Sequence, residues 1–146
     1  PCLTAFIPML MDTGGNSGSQ ACVSIIRGIS LNEIEFRDLG RVVWKEIRVS
    51  VLCGVCLAIA CFAKIIVVDM LLLKSESVTY LVAFVVCATM AVTVCLAKIV
   101  GSTLPLLAKK LGFDPAVMAS PIITTIVDFL SLLVYFAFAT AMLGIG

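Results

Sequence analysis

Residues 121–146 read PIITTIVDFLSLLVYFAFATAMLGIG, and this stretch decides the fold. Ile, Val, Leu, Phe and Ala dominate it, a few hydroxyls interrupt them, and Asp128 carries its one charge. An α-helix crosses a bilayer with about 20 apolar residues, so the stretch is long enough to span. Pro121 suits the first turn of such a helix, where its missing N–H is not needed. At about 1.5 Å per residue, Asp128 then lies about 10 Å along the axis. That depth is inside the hydrocarbon when the helix begins near the interface. A carboxylate there is costly, so it faces a bundle interior or a water path and serves an ion, a proton or a counter-charge.

The rest of the chain shares this character. Its 146 residues are 62% hydrophobic and 13% charged, with a mean hydropathy of +1.20. Soluble domains carry about 25% charged residues, so the lipid bilayer is the expected solvent. The net charge of +1, with Lys and Arg at loop positions, offers no basic patch for nucleic acid. The chain opens at Pro1 with no initiator Met, signal peptide or cleavage site, and reads as part of a longer protein.

Working outward, four segments have spanning potential: Leu3–Ile29, Val42–Leu73, Val78–Leu107 and Pro121–Gly146. The expected fold is an all-α, polytopic transmembrane helix bundle. The connections are a charged linker over Asn32–Arg48, with Trp44 as an interfacial anchor, a polar turn at Lys74–Thr79, and Ala108–Pro115 with the breaker Gly112-Phe113-Asp114-Pro115. Arg27, Arg37, Arg41, Lys45, Arg48, Lys109 and Lys110 fall on one side of the membrane, and Lys64 and Lys74 on the other. This asymmetry places loops 30–48 and 108–115 in the cytoplasm and the C-terminus outside. Lys98, near the end of its helix, is expected to snorkel to the cytoplasmic surface.

Two segments carry polar stripes. Thr124, Asp128, Ser131 and Tyr135 share a face at helical spacing, and Ser120 extends it by a turn. Asp128 could serve there as a counter-ion to Lys64 or Lys98, as a proton relay, or as an ion ligand; relays often recruit several titrating groups, and the chain has no His. In the first segment, Met11-Asp12-Thr13-Gly14-Gly15-Asn16-Ser17-Gly18-Ser19-Gln20 interrupts the apolar run. Irregular backbone at membrane depth is tolerated only when buried in protein or lining a water-filled cavity. Asn16, Gln20 and Ser24 recur at four-residue spacing, and Gly14-x-x-x-Gly18 also fits a helix-packing motif.

The two stripes supply a carboxylate, hydroxyls, amides and backbone carbonyls. Hard oxygen donors favour Mg²⁺, Ca²⁺ or Mn²⁺ over zinc or copper. One carboxylate is too few for a calcium cage, whereas Mg²⁺ keeps several waters and is often held by one or two carboxylates. Asp128, or two copies of it in a symmetric dimer, therefore suits hydrated Mg²⁺. The seven Cys include Cys53-Gly-Val-Cys56 inside an apolar run, with no second pair or His to complete a zinc site. They read as small buried hydrophobes.

Pro8-Met-Leu-Met-Asp-Thr-Gly-Gly-Asn-Ser-Gly-Ser-Gln-Ala21, with Arg27-Gly28, resembles the signature of the MgtE magnesium transporter/channel membrane domain. Leu111-Gly-Phe-Asp-Pro-Ala116 and Ser120-Pro-Ile-Ile-Thr-Thr-Ile-Val-Asp128 resemble that family's last helix and its approach. The resemblance implies a homodimer with five transmembrane helices per protomer, here helices two to five. It implies an ion path at the dimer interface, built chiefly by the second and fifth helices. Asp128 matches the family's pore aspartate for hydrated Mg²⁺, Thr124 a carbonyl-donating position one turn earlier, and Gly15 and Gly18 the site-lining glycines. Asn16 belongs to the same motif. Residues 1–146 then form an MgtE-like transmembrane domain of a multi-pass cell-membrane protein, in a bacterial inner membrane, without the first helix or the cytoplasmic regulatory domains.

Asp12 fits either an extra charge at the outer mouth or a helix-end aspartate. The competing functions are another divalent-cation or proton-coupled carrier, a membrane thiol oxidoreductase built on Cys53 and Cys56, and a structural subunit packed through its glycines. The primary expectation is not an enzyme but a Mg²⁺ channel or transporter.

Overall fold

The computed structural model describes residues 3–74, 76, 78–118 and 121–144. Among the described residues the regular structure is all helical. The four long helices are α1 (Ile7–Ser30), α2 (Leu39–Lys64), α3 (Tyr80–Lys110) and α4 (Pro121–Leu143). Short 3₁₀ turns occupy Leu3–Phe6, Phe36–Asp38 and Pro115–Met118. Ser120 and Cys2 lie outside the described residues.

Local chemistry sets the helix ends. At the end of α1, Glu33 N–H donates to Gly28 O at 2.9 Å and Asn32 N–H to Ile29 O at 3.1 Å. Asn32 takes φ 57°, as a short polar side chain can in the left-handed region. At the end of α3 the pattern repeats around Gly112, at φ 83°: Phe113 N–H reaches Ala108 O at 2.9 Å, and Gly112 N–H reaches Lys109 O at 3.1 Å. The breaker read from sequence is this reversal. Thr79 caps α3, its hydroxyl accepting from Val82 N–H at 3.4 Å.

Beyond Lys64, α2 widens into a π-helix over Ile65–Leu72. Its i→i+5 bonding stacks residue 69 over residue 64. Lys64 Nζ and Asp69 Oδ2 meet at 2.7 Å, and Lys64 also sits 5.4 Å from the Phe6 ring centre.

Helix α3 is the hub, packed against α1, α2 and α4, while α1 also packs on α4. Those two run antiparallel: Gly14 faces Ser131 and Val127, while Gly18 faces Ile123 and Val127. The core has an upper cluster around Leu10, Ile65, Val85, Val86 and Tyr135. A middle one gathers Cys22, Ala97, Ile123 and Val127, and a lower one Ile25, Ile29, Val42 and Leu106. Tyr135 is 1% exposed, and its hydroxyl donates to Leu3 O at 2.7 Å.

Large apolar side chains cover the outside, among them Leu52, Val55, Ile59, Phe129, Leu133 and Phe136. Among the described residues, three helices are long and apolar enough to cross a membrane: Phe36–Leu72, Tyr80–Lys110 and Pro121–Leu143. This is the constitution of a multi-pass membrane protein. Four such segments were expected; α1 has 24 residues, but its Gly, Asn, Ser and Gln keep it out of the apolar set.

The expected break in α1 is absent. The helix runs unbroken through Gly14–Gly18. A mid-helix Gly costs about 1 kcal/mol relative to Ala, and here the missing Cβ atoms permit close approach. A Cβ on Gly14 would lie 2.8 Å from Thr93 Cγ2, and one on Gly18 would lie 3.2 Å from the Ala97 carbonyl. On α3, a Cβ at Gly101 would run into the Gly18 backbone.

Lys98 departs from expectation too. It does not snorkel: it is 8% exposed and pairs with Glu46 at 3.8 Å. Its place on the buried side of α3 turns the side chain toward α2. Removing one partner of a buried pair leaves an uncompensated charge. Glu46→Ala should therefore lower stability by about 3 kcal/mol, and Glu46→Leu combined with Lys98→Met should recover most of it. Thermal melts in detergent check this, and a native-like melt for Glu46→Ala would contradict it.

Candidate cation site

The buried stripe of α4 is Ile123, Val127, Ser131, Tyr135 and Ala139. Thr124 and Asp128 each follow a member of that stripe by one residue, a rotation of about 100°. They therefore stand at its edge, half-buried, beside α1. Ser131 and Tyr135 were expected to share their face but turn into the protomer, and Ser131 donates to Val127 O at 2.6 Å.

Gly15 lets the α4 side chains come against α1. A Cβ there would lie 3.2 Å from Thr124 Cγ2 and 3.7 Å from Asp128 Oδ1. Around this contact lies a cavity of about 150 Å³, lined by Met11, Asp12, Gly15, Asn16, Thr124 and Asp128. A water takes about 30 Å³, so there is room for an ion with part of its hydration shell. Of the five residues named from sequence, Asp128, Thr124, Gly15 and Asn16 meet here. Gly18 does not: it faces Ile123, Val127 and Ala97, as a packing glycine.

Thr124 Oγ1 donates to Pro121 O at 3.1 Å. With both helices unbroken, backbone carbonyls of Gly15 and Thr124 belong to helical turns. Each carbonyl oxygen has a second lone pair for a water or an ion.

Among the described residues, no Lys or Arg pairs with Asp128. The proposed counter-ions are taken, Lys64 by Asp69 and Lys98 by Glu46. Among the described residues, no ion pair includes Asp128 or Asp12. Nor do three His, Cys, Asp or Glu side chains gather closely enough to hold a metal within one chain. The site suits an ion that retains water or finds further ligands outside the protomer.

Asp12, ambiguous in the sequence, lies in the cavity. Its signal was the four-residue spacing to Asn16 and Gln20, which extends the α1 stripe by a turn. Asp12, Asn16, Gln20 and Ser24 are exposed along one face of α1. A second cavity, of about 440 Å³, separates α1 from α2 and includes Asp12, Asn16, Gln20, Cys53, Cys56 and Lys98 in its lining.

Among the described residues, Cys22, Cys53, Cys56, Cys61, Cys87 and Cys95 form no disulfide. Cys22, Cys61 and Cys87 pack as buried hydrophobes, and Cys53 and Cys56 edge the larger cavity unbonded. Changing all seven Cys to Ser or Ala should leave a protein that still folds in detergent, because thiols behave as packing groups. Failure of the Cys-free protein to give a cooperative thermal melt would contradict this.

Apolar helices around a carboxylate-bearing polar cavity define an integral membrane protein with the makings of an ion-transport site. Residues 7–138 match the family profile MgtE, described as a divalent cation transporter, and the chain belongs to that family. It is 34% identical over 141 residues to the magnesium transporter MgtE of Bacillus subtilis, covering 97% of this chain and 30% of that protein. It is 33% identical over 141 residues to magnesium transporter MgtE of Thermus thermophilus, covering 97% of this chain and 29% of that protein. For the magnesium transporter MgtE of Enterococcus faecalis the identity is 31% over 138 residues, with 94% and 29% covered. The chain thus spans about 30% of the length of the curated relatives it matches.

Proposed function

We propose that this chain forms the membrane portion of a Mg²⁺ channel or transporter, with Asp128 as its principal ion ligand. The observation that carries the reading is a carboxylate with no ion-pair partner among the described residues, in a polar cavity between α1 and α4. Its family and the names of its relatives support the same reading.

In this reading α1 crosses the membrane beside α4. Its exposed Asp12, Asn16, Gln20 and Ser24 cannot face lipid without a heavy penalty. A second copy of the chain covers them, and the two polar faces enclose a water-filled path. Two Asp128 carboxylates then flank a hydrated Mg²⁺, with Thr124, Gly15 and Asn16 contributing oxygens directly or through water. Such a site holds the ion through its hydration shell, which Mg²⁺ gives up reluctantly. Gly18 serves the path indirectly, by seating α1 against α3 and α4. The Lys and Arg asymmetry puts loops 30–48 and 108–115 in the cytoplasm and the C-terminus outside.

Expression of the full-length protein should restore growth of a magnesium-transport-deficient host at low external Mg²⁺. Density maps with and without Mg²⁺ should differ between two copies of Asp128. Correctly inserted protein that neither restores growth nor gains density there would defeat the reading.

A further inference from the structure

We propose that Asp12 is a second cation-binding carboxylate of this path, facing the same cavity as Asp128 and held in place by Asn16. The proposal rests on the function assigned to Asp128 and adds a residue that sets preference for divalent over monovalent ions.

Asp12 is not a helix-end aspartate. It is the sixth residue of α1, past the first turn, and α1 has no side-chain cap. Among the described residues, Asn16 Nδ2 donates to its Oδ2 at 3.2 Å. That bond orients the carboxylate and leaves Oδ1 free for water or an ion. No Lys or Arg among the described residues pairs with it.

The antiparallel packing of α1 and α4 gives the two carboxylates an order. Gly15 is level with Thr124 and Asp128. Asp12 lies three residues nearer the Ile7 end, a rise of about 4.5 Å. Both carboxylates line the 150 Å³ cavity, and Asp12 and Asn16 also line the 440 Å³ cavity. Asp12 therefore stands where the two spaces meet. With the Ile7 end outside, an incoming ion meets Asp12 first.

Two like charges facing one confined space repel, and a cation between them reverses the sign. Coulomb attraction scales with ion charge, so each added carboxylate favours a divalent ion twice as strongly as a monovalent one. A site with Asp12 and Asp128 from each protomer has double the negative charge of one built on Asp128 alone.

The test is Mg²⁺ titration calorimetry on the full-length protein, with Mg²⁺ and K⁺ fluxes measured in liposomes. Asp12→Asn should weaken Mg²⁺ binding on the order of tenfold and lower the Mg²⁺ to K⁺ flux ratio, the charge effect being larger for the divalent ion. Asp12→Glu should stay near native. Asp12→Ser is the second neutral variant, should Asp12→Asn not fold. Native Mg²⁺ affinity and flux ratio in either folded neutral variant, with Asp128→Asn inactive, would overturn the role of Asp12 and leave the proposed function standing. Native behaviour in Asp128→Asn as well would remove the function itself.

Discussion

Asp128→Asn should abolish Mg²⁺ uptake into liposomes and leave a protein that melts at or above the native temperature. The substitution preserves shape and removes one charge per chain. At about 4 Å and an effective dielectric constant of about 20, two unit charges attract by about 4 kcal/mol, and a divalent ion doubles that. Hydration of the ion and the remaining oxygen donors return part of this. A net loss of about 4 kcal/mol remains, or on the order of a thousandfold in affinity. Stability should not suffer, because Asp128 has no ion-pair partner to strand among the described residues. A burden on the fold is removed along with the function. Uptake within a few-fold of native by the folded variant would mean that the ion does not depend on this carboxylate.

Gly101→Ala should be the most damaging small substitution in the chain. The added Cβ would meet the carbonyl oxygen, the carbonyl carbon and Cα of Gly18, all backbone. No flexible side chain is present to yield, so α1 and α3 must separate. Overpacking a core typically costs 1–3 kcal/mol, and a backbone-to-backbone clash belongs at about the upper end of that range or beyond. Separation would also displace Asp12, Gly15 and Asn16 from Thr124 and Asp128. Stability and uptake should therefore fall together. Gly40→Ala is the contrast, since a Cβ there meets nothing within 4 Å. It should be neutral or stabilising by up to about 1 kcal/mol. A Gly101→Ala protein that melts and transports like native would show that the helices have room to spare.

Much of this arrangement was legible in the residues. Pro121 marked the start of α4 and Gly112 the turn after α3. What escaped depended on contacts remote in sequence. The glycine run of α1 has the look of a break, and only the proximity of α3 and α4 makes a continuous helix worth its propensity cost. Lys98 and Glu46 are 52 residues apart, and nothing local foretells that α2 and α3 bring them together. Ser131 and Tyr135 seemed to belong with Asp128 because three- and four-residue spacings both fall near one face. Strict four-residue spacing instead follows the buried edge, and Asp128 lies one position off it. Gly18 belonged to the site by motif and to the packing by geometry.

The modest hydropathy of α1 also bears on how the protein is made. With α1 crossing the membrane, a helix carrying Asp12, Asn16 and Gln20 has little tendency to leave the translocation machinery for lipid alone. The partners that shelter its glycines, α3 and α4, are synthesised after it. The seat that α3 and α4 give α1 is complete only once the last helix is made. Lesions at Gly101 or Ile123 should therefore surface as failed membrane integration of α1.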